Sequence, residues 1–203
     1  MKRLIAMLAA MLLMILPALA EEVDLSERQA EANAAIARVL LDGEEYIPMQ
    51  ADDRMPADWN AVRFTVLDMD GDGVTEVVVE LTEWEAFVVL YAAGDGVYGS
   101  EFPYRGMLSL KDDGTFTYSS GAMDNGVAVL SFLSGGTNEL QMGYLPLAEC
   151  RSEDNGSVTF WLDGGAEQTD EAGYQAYIAQ QSAKLDALWY EYSPENVRML
   201  LGQ

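Results

Sequence analysis

The chain has 203 residues, half of them apolar, with 34 acidic and 11 basic side chains and a formal net charge of −23. So much negative charge excludes nucleic acid and anionic lipid as partners, and the apolar half excludes a disordered acidic tail. There is no histidine and a single cysteine, which removes Ser-His-Asp and Cys-His nucleophiles, histidine-ligated zinc and any internal disulfide.

Met1 to Ala20 reads as an export leader: Lys2 and Arg3 form a basic start, Leu4 to Leu16 an apolar stretch, and Ala18-Leu19-Ala20 a small-residue cleavage site. An uncleaved anchor is the alternative, but Leu4 to Ala20 is at the short end of what spans a bilayer. No cysteine lies near the site to carry a lipid. The expected mature protein is residues 21–203, one domain, secreted or cell-surface associated, with no membrane span left after cleavage. Cys150 then has no partner, and extracellular stability has to come from the core and from a bound cation.

A helix is expected over Ser26 to Leu41, with Ser26 and Gln29 as a capping box, Gly43 just past its end, and Ala32, Ile36, Val39 and Leu40 on its inner face. Gln50 to Asp58, polar and carrying Pro56, reads as a loop.

The chain is organised around Phe64 to Glu80, FTVLDMDGDGVTEVVVE. Asp68, Asp70 and Asp72 alternate, Gly73 supplies a sharp turn, the Val74 carbonyl follows, and Glu76 closes the run. A hard cation such as Ca²⁺ takes six to eight oxygens, and this spacing supplies most of them. An EF-hand would need a glutamate where Val79 stands and helices on both flanks. Here the flanks are β-branched and aromatic, so a strand–loop–strand site is expected. It resembles the DxDxDG loops of integrin-type propeller blades, although no repeat indicates a propeller. The alternative is an acidic turn, with Gly71 and Gly73 at its tip and no metal.

The remainder reads as antiparallel strands: Ala86 to Ala93 and Val97 onward about Gly94-Asp95-Gly96, Phe102 to Leu110, Thr115 to Tyr118, Val127 to Leu133 after an Asn125-Gly126 turn, Leu140 to Leu147, and Val158 to Leu162. Tyr174, Tyr177, Ile178, Leu185 and Leu188 mark a helix from about Asp170, and Ser193-Pro194 caps a last one. This order gives an α+β domain: an antiparallel sheet with an N-terminal helix and C-terminal helices.

Three strings, DMDGDGVTEVVVE, VYGSEFPYRGMLSLKDDGTFTYSSGAMDNG and WYEYSPENVRMLL, resemble a group of secreted or surface-attached proteins of Gram-positive gut bacteria. The likeness runs in the same order from about Asp42 to Leu201. It implies this fold and export, maps a DxDGDGxxE loop onto Asp68, Asp70, Asp72, Gly73 and Glu76, and implies no catalysis.

Tyr104, Arg105, Ser119, Ser120, Asp124 and Asn125 can form a polar recognition patch on loops carried by the sheet. The more ordinary reading is a turn over Ser119 to Gly126, with Arg105 pairing an acid. The function expected is a non-catalytic, calcium-stabilised module binding an unknown extracellular ligand or protein. The alternative is a two-carboxylate hydrolase of extracellular glycans, with Glu80, Glu83, Glu85 and Glu101 as its nominal acids. If the leader reading holds, intact mass of exported protein gives a chain beginning at Glu21. A membrane-held product retaining Met1 to Ala20 would contradict it.

Overall fold

A computed structural model describes residues 24–49, 53–82, 86–94, 96–121, 123–134 and 140–203. The described residues form three helices and twelve strands in two sheets, the expected α+β class. The leader lies outside them. No helix among them is long and apolar enough to cross a membrane.

Helix α1 (Leu25–Asp42) starts one residue earlier than expected, because Asp24 is its N-cap and accepts the Ser26 and Glu27 N–H groups. The Ser26–Gln29 capping box does not form. An ionised aspartate is the stronger acceptor there, and Gln29 is committed to a partner outside the helix. Gly43 ends α1 in the left-handed conformation that glycine adopts without strain.

The first sheet has the order β12-β3-β4-β5-β6-β1-β2. Its centre is a meander: β3 (Ala61–Leu67), β4 (Glu76–Leu81), β5 (Phe87–Ala93) and β6 (Gly96–Phe102). At the edges lie β1 (Glu45–Pro48), β2 (Met55–Pro56) and β12 (Tyr190–Glu191), with β1 parallel to β6. The second sheet, β11-β10-β9-β8-β7, is built from β7 (Phe116–Ser119), β8 (Asn125–Ser134), β9 (Leu140–Ser152), β10 (Val158–Leu162) and β11 (Glu167–Thr169). The single antiparallel sheet expected from the sequence is thus two sheets with one parallel pair. Twisted open sheets rarely grow past about ten strands without splitting.

Both faces of the meander are covered, which is why its strands read as continuous apolar runs. Phe64, Val77, Val79, Val88 and Leu90 pack beneath α1 and the C-terminal helix α3 (Pro194–Leu201). The opposite face, with Leu67, Val78, Val89 and Phe102, packs against Phe116, Tyr118, Ala128 and Leu130 of the second sheet. The Tyr192 hydroxyl donates to the Leu40 carbonyl at 2.7 Å, joining the C-terminal segment to α1. Helix α2 (Glu171–Ser182) lies on the second sheet, where Tyr174 packs with Val127, Ala148 and Cys150.

Further expectations are corrected. The expected strand Phe102 to Leu110 does not form: β6 ends at Phe102, and Pro103 turns the chain, with the Gly106 N–H on the Pro103 carbonyl. The helix at α2 stops at Ser182, leaving Leu185 and Leu188 exposed. The following segment bonds instead to the turn before β7: Asp112 N–H to the Leu185 carbonyl, and Ala187 N–H to the Leu110 carbonyl. Asn125-Gly126 opens strand β8 rather than forming a turn; the reversal lies at Ser120–Asp124. Gly126 is needed for close approach, since a Cβ there would stand 2.3 Å from the Ala148 carbonyl oxygen and 2.8 Å from the Tyr118 hydroxyl. Gly126→Ala should therefore cost about 1–3 kcal/mol of stability in urea unfolding. Gly143→Ala, whose Cβ meets nothing within 4 Å, should leave stability unchanged or slightly raised.

Candidate metal centre

The loop between β3 and β4 is shaped by its own aspartates. Asp68 accepts the Gly71 N–H at 2.7 Å on Oδ1 and the Gly73 N–H at 3.0 Å on Oδ2. Asp70 Oδ1 accepts the Asp72 N–H at 3.1 Å, and Asp72 Oδ1 the Val74 N–H at 2.7 Å. Gly71 and Gly73 both take positive φ, 80° and 86°, so the chain coils back on itself without strain. These side-chain-to-backbone bonds are the ones short acidic residues make in turns.

Glu76 enters from the first position of β4, opposite Leu67. It is wholly buried. Its Oε2 accepts the Met69 N–H at 2.7 Å, whereas Oε1 is buried with no hydrogen-bond partner among the described residues. Carboxylate oxygens of Asp68, Asp70 and Glu76 all lie within 4.8 Å of one another. Oxygens bound to one hard divalent cation sit roughly 2.0–2.6 Å from it, so three oxygens this close can share a single ion. The orphaned Oε1 is the independent sign that the cluster is more than a polar turn, because leaving a buried acceptor unmet is costly. Burial foremost, with the charges of Asp70, Asp68 and Asp72 behind it and the Met69 N–H opposing, pushes the Glu76 carboxyl up to about 8. Asp70 is also raised, first by burial and then by its acidic neighbours. A bound cation would reverse both effects.

Of the five positions the sequence singles out, Asp68, Asp70 and Glu76 stand together. The Asp72 carboxylate is outside that group and pairs with Arg28 of α1 at 3.0 Å. Val74 is buried, its N–H held by Asp72. Three supports were not anticipated. Gln29 of α1 accepts the Thr75 N–H at 2.8 Å and donates to the Thr75 hydroxyl at 2.8 Å. Leu25 of α1 packs over Gly73. Gly114, φ 78°, lies so close that a Cβ would meet the Asp68 carbonyl oxygen at 2.8 Å. Its turn is fastened from behind by Lys184, which pairs with Asp113 at 2.7 Å, and by a buried Gln181–Thr115 bond of 2.8 Å.

The polar block is divided. Tyr104, Arg105, Ser119 and Ser120 line one cleft, and Arg105 donates to the Ser119 hydroxyl rather than to an acid. Asp124 accepts the Ser152 N–H, and Asn125 accepts the Tyr174 hydroxyl; both are used in holding the second sheet. Compared with known proteins, the chain matches no family model, no curated protein and no solved structure.

The raised Glu76 carboxyl fixes a pH dependence. In the metal-free protein the folded state keeps this proton up to about pH 8, whereas the unfolded chain releases it near the ordinary glutamate value of about 4.3. The folded state binds more protons in that window, so stability falls as pH rises through it, by on the order of a few kcal/mol. Urea unfolding in chelator at about pH 5 and about pH 8 reads the fall. Glu76→Gln should remove most of it, leaving the smaller share that the raised Asp70 contributes, and should make the metal-free protein at least as stable near neutrality, since the amide can donate to the aspartates.

Proposed function

We propose that the protein is an exported binding module whose fold is held by a calcium ion at Asp68, Asp70 and Glu76, with the Asp72 carboxylate and the Val74 carbonyl completing the shell. The observation that carries this reading is the buried, unpaired Oε1 of Glu76 beside two aspartates. Calcium is favoured over magnesium because it accepts many oxygens in irregular geometry. Magnesium demands a near-ideal octahedron and holds on to its water, which a ligand as deeply buried as Glu76 leaves little room for. Asp72 would join by exchanging its Arg28 partner for the ion.

The ion's role is structural in this reading. The loop joins two adjacent central strands, and its charges repel one another without a cation. The leader-like start of the chain and the likeness to exported surface proteins support the location. The glycan hydrolase reading finds no support in its nominal acids. Glu80 is paired with Arg63. Glu80 aligns with Phe87 and Phe102, whereas Glu101 aligns with Val88 and Val79, so strand alternation sends the two acids to opposite faces of the sheet. Glu83 and Glu85 lie outside the described residues.

Thermal unfolding in calcium, magnesium and chelator tests the proposal. At a calcium concentration a hundredfold above its dissociation constant the gain is about 2.7 kcal/mol, a rise in melting temperature of roughly 5–10 °C for a domain of this size. Magnesium should give clearly less. Asp70→Ala should remove the calcium response, and Asp112→Ala, in the neighbouring turn, should keep it. Identical melting in calcium and in chelator would refute the reading.

A further inference from the structure

A cleft of about 490 Å³ opens where the turn after β6 meets the ends of β7 and β9. Its floor is aromatic. The half-exposed ring of Tyr144 leans on Phe102, Phe116 and Tyr118 at centroid distances of 6.4, 6.3 and 5.3 Å. On the rim, Tyr104 is 59 % exposed, beside Arg105 and the hydroxyl of Ser119.

Arg105 is the unusual member. It is the third residue of a four-residue turn closed by the Gly106 N–H on the Pro103 carbonyl at 2.7 Å, and its φ is 70°. Turns with positive φ at that position favour glycine or asparagine, and an arginine there is strained. The conformation holds the guanidinium at the cleft mouth, donating to the Ser119 hydroxyl. Two exposed rings, an aromatic floor and a fixed donor fork have the composition of a small-ligand site.

We propose that this cleft binds a neutral saccharide, which names the ligand class for the binding module proposed above. A sugar ring presents an apolar C–H face for Tyr104 and Tyr144 and a hydroxyl edge for the remaining donors of Arg105, whose orientation is held by Ser119, itself donating to the Gly121 carbonyl at 2.9 Å. The strongly acidic chain disfavours an anionic ligand. The rings around Tyr144 are inclined to it by 39° to 82°, a corrugated floor that suits a puckered ring better than a flat heterocycle. A proline-rich peptide also docks on aromatic grooves and its carbonyls accept from an arginine, so it is the competing outcome of the test.

Calorimetric titration of the mature protein with maltose, cellobiose, lactose and N,N′-diacetylchitobiose, in calcium and in chelator, tests the assignment, with decaproline as the peptide probe. At least one disaccharide should bind with a millimolar or tighter dissociation constant, and Tyr104→Ala should weaken it by about tenfold. Arg105→Gly should weaken it at least as much while the melting temperature stays the same or rises, since glycine relieves the turn. Binding of decaproline alone, binding of none of the four sugars, binding indifferent to both substitutions, or a lowered melting temperature in Arg105→Gly would each overturn the proposal. The metal reading fails separately, because the calcium response of the melting temperature is read without sugar.

Discussion

The constraint on which this structure turns is a carboxyl group that the fold has sealed away from water with one oxygen unmet. Glu76 is wholly buried at the head of a central strand, and among the described residues only the Met69 N–H answers it. A buried carboxylate of this kind has two ways out: it takes a proton, or it shares a cation with neighbouring oxygens. The first is available to any protein. The second needs Asp68 and Asp70 where they are, on a loop whose every turn is fixed by its own side chains.

The loop does not hold its shape alone. The first turns of α1 grip it through Arg28 and Gln29, and the Gly114 turn presses on its backbone from the side of the second sheet. Met69, inside the loop, is buried in the same cluster as Phe102, Met107 and Tyr118. The acidic loop and the aromatic cleft are therefore opposite reaches of one packed interior, in which displacement at one place is passed on rather than absorbed.

Much of this was legible in the sequence. Alternating aspartates, two glycines and β-branched flanks marked the strand–loop–strand element and the pairing of its strands, because those signals are local. What could not be read was anything set by distant neighbours. Asp72 looked like its two companions, but Arg28, far back in α1, engages it. Gly126 looked like a hairpin turn, but the glycine is required by the Ala148 carbonyl across the sheet. Leu185 and Leu188 continue a helical period, yet the chain leaves the helix to bridge Lys111 and Asp186. Each failure is a tertiary contact overriding a sound local preference. The burial of Glu76 is the same lesson in the site: its spacing marked it as a ligand, but only packing made its second oxygen an orphan.

The packing of elements far apart in sequence carries a consequence for how the protein is made. Helix α3 and strand β12 lie against α1 and β3, elements far earlier in the sequence: Tyr192 and Leu40, which bond, are 152 positions apart. A polypeptide delivered N-terminus first, from a ribosome or through a translocation pore, cannot close this layer until residues 190–201 have come through. Until then α1 and the sheet beneath it keep an open apolar side, the condition in which partly emerged chains aggregate or recruit chaperones. The topology thus makes the arrival of β12 and α3 the committing event of assembly, and a change that unseats α3 is felt at α1, the helix it covers.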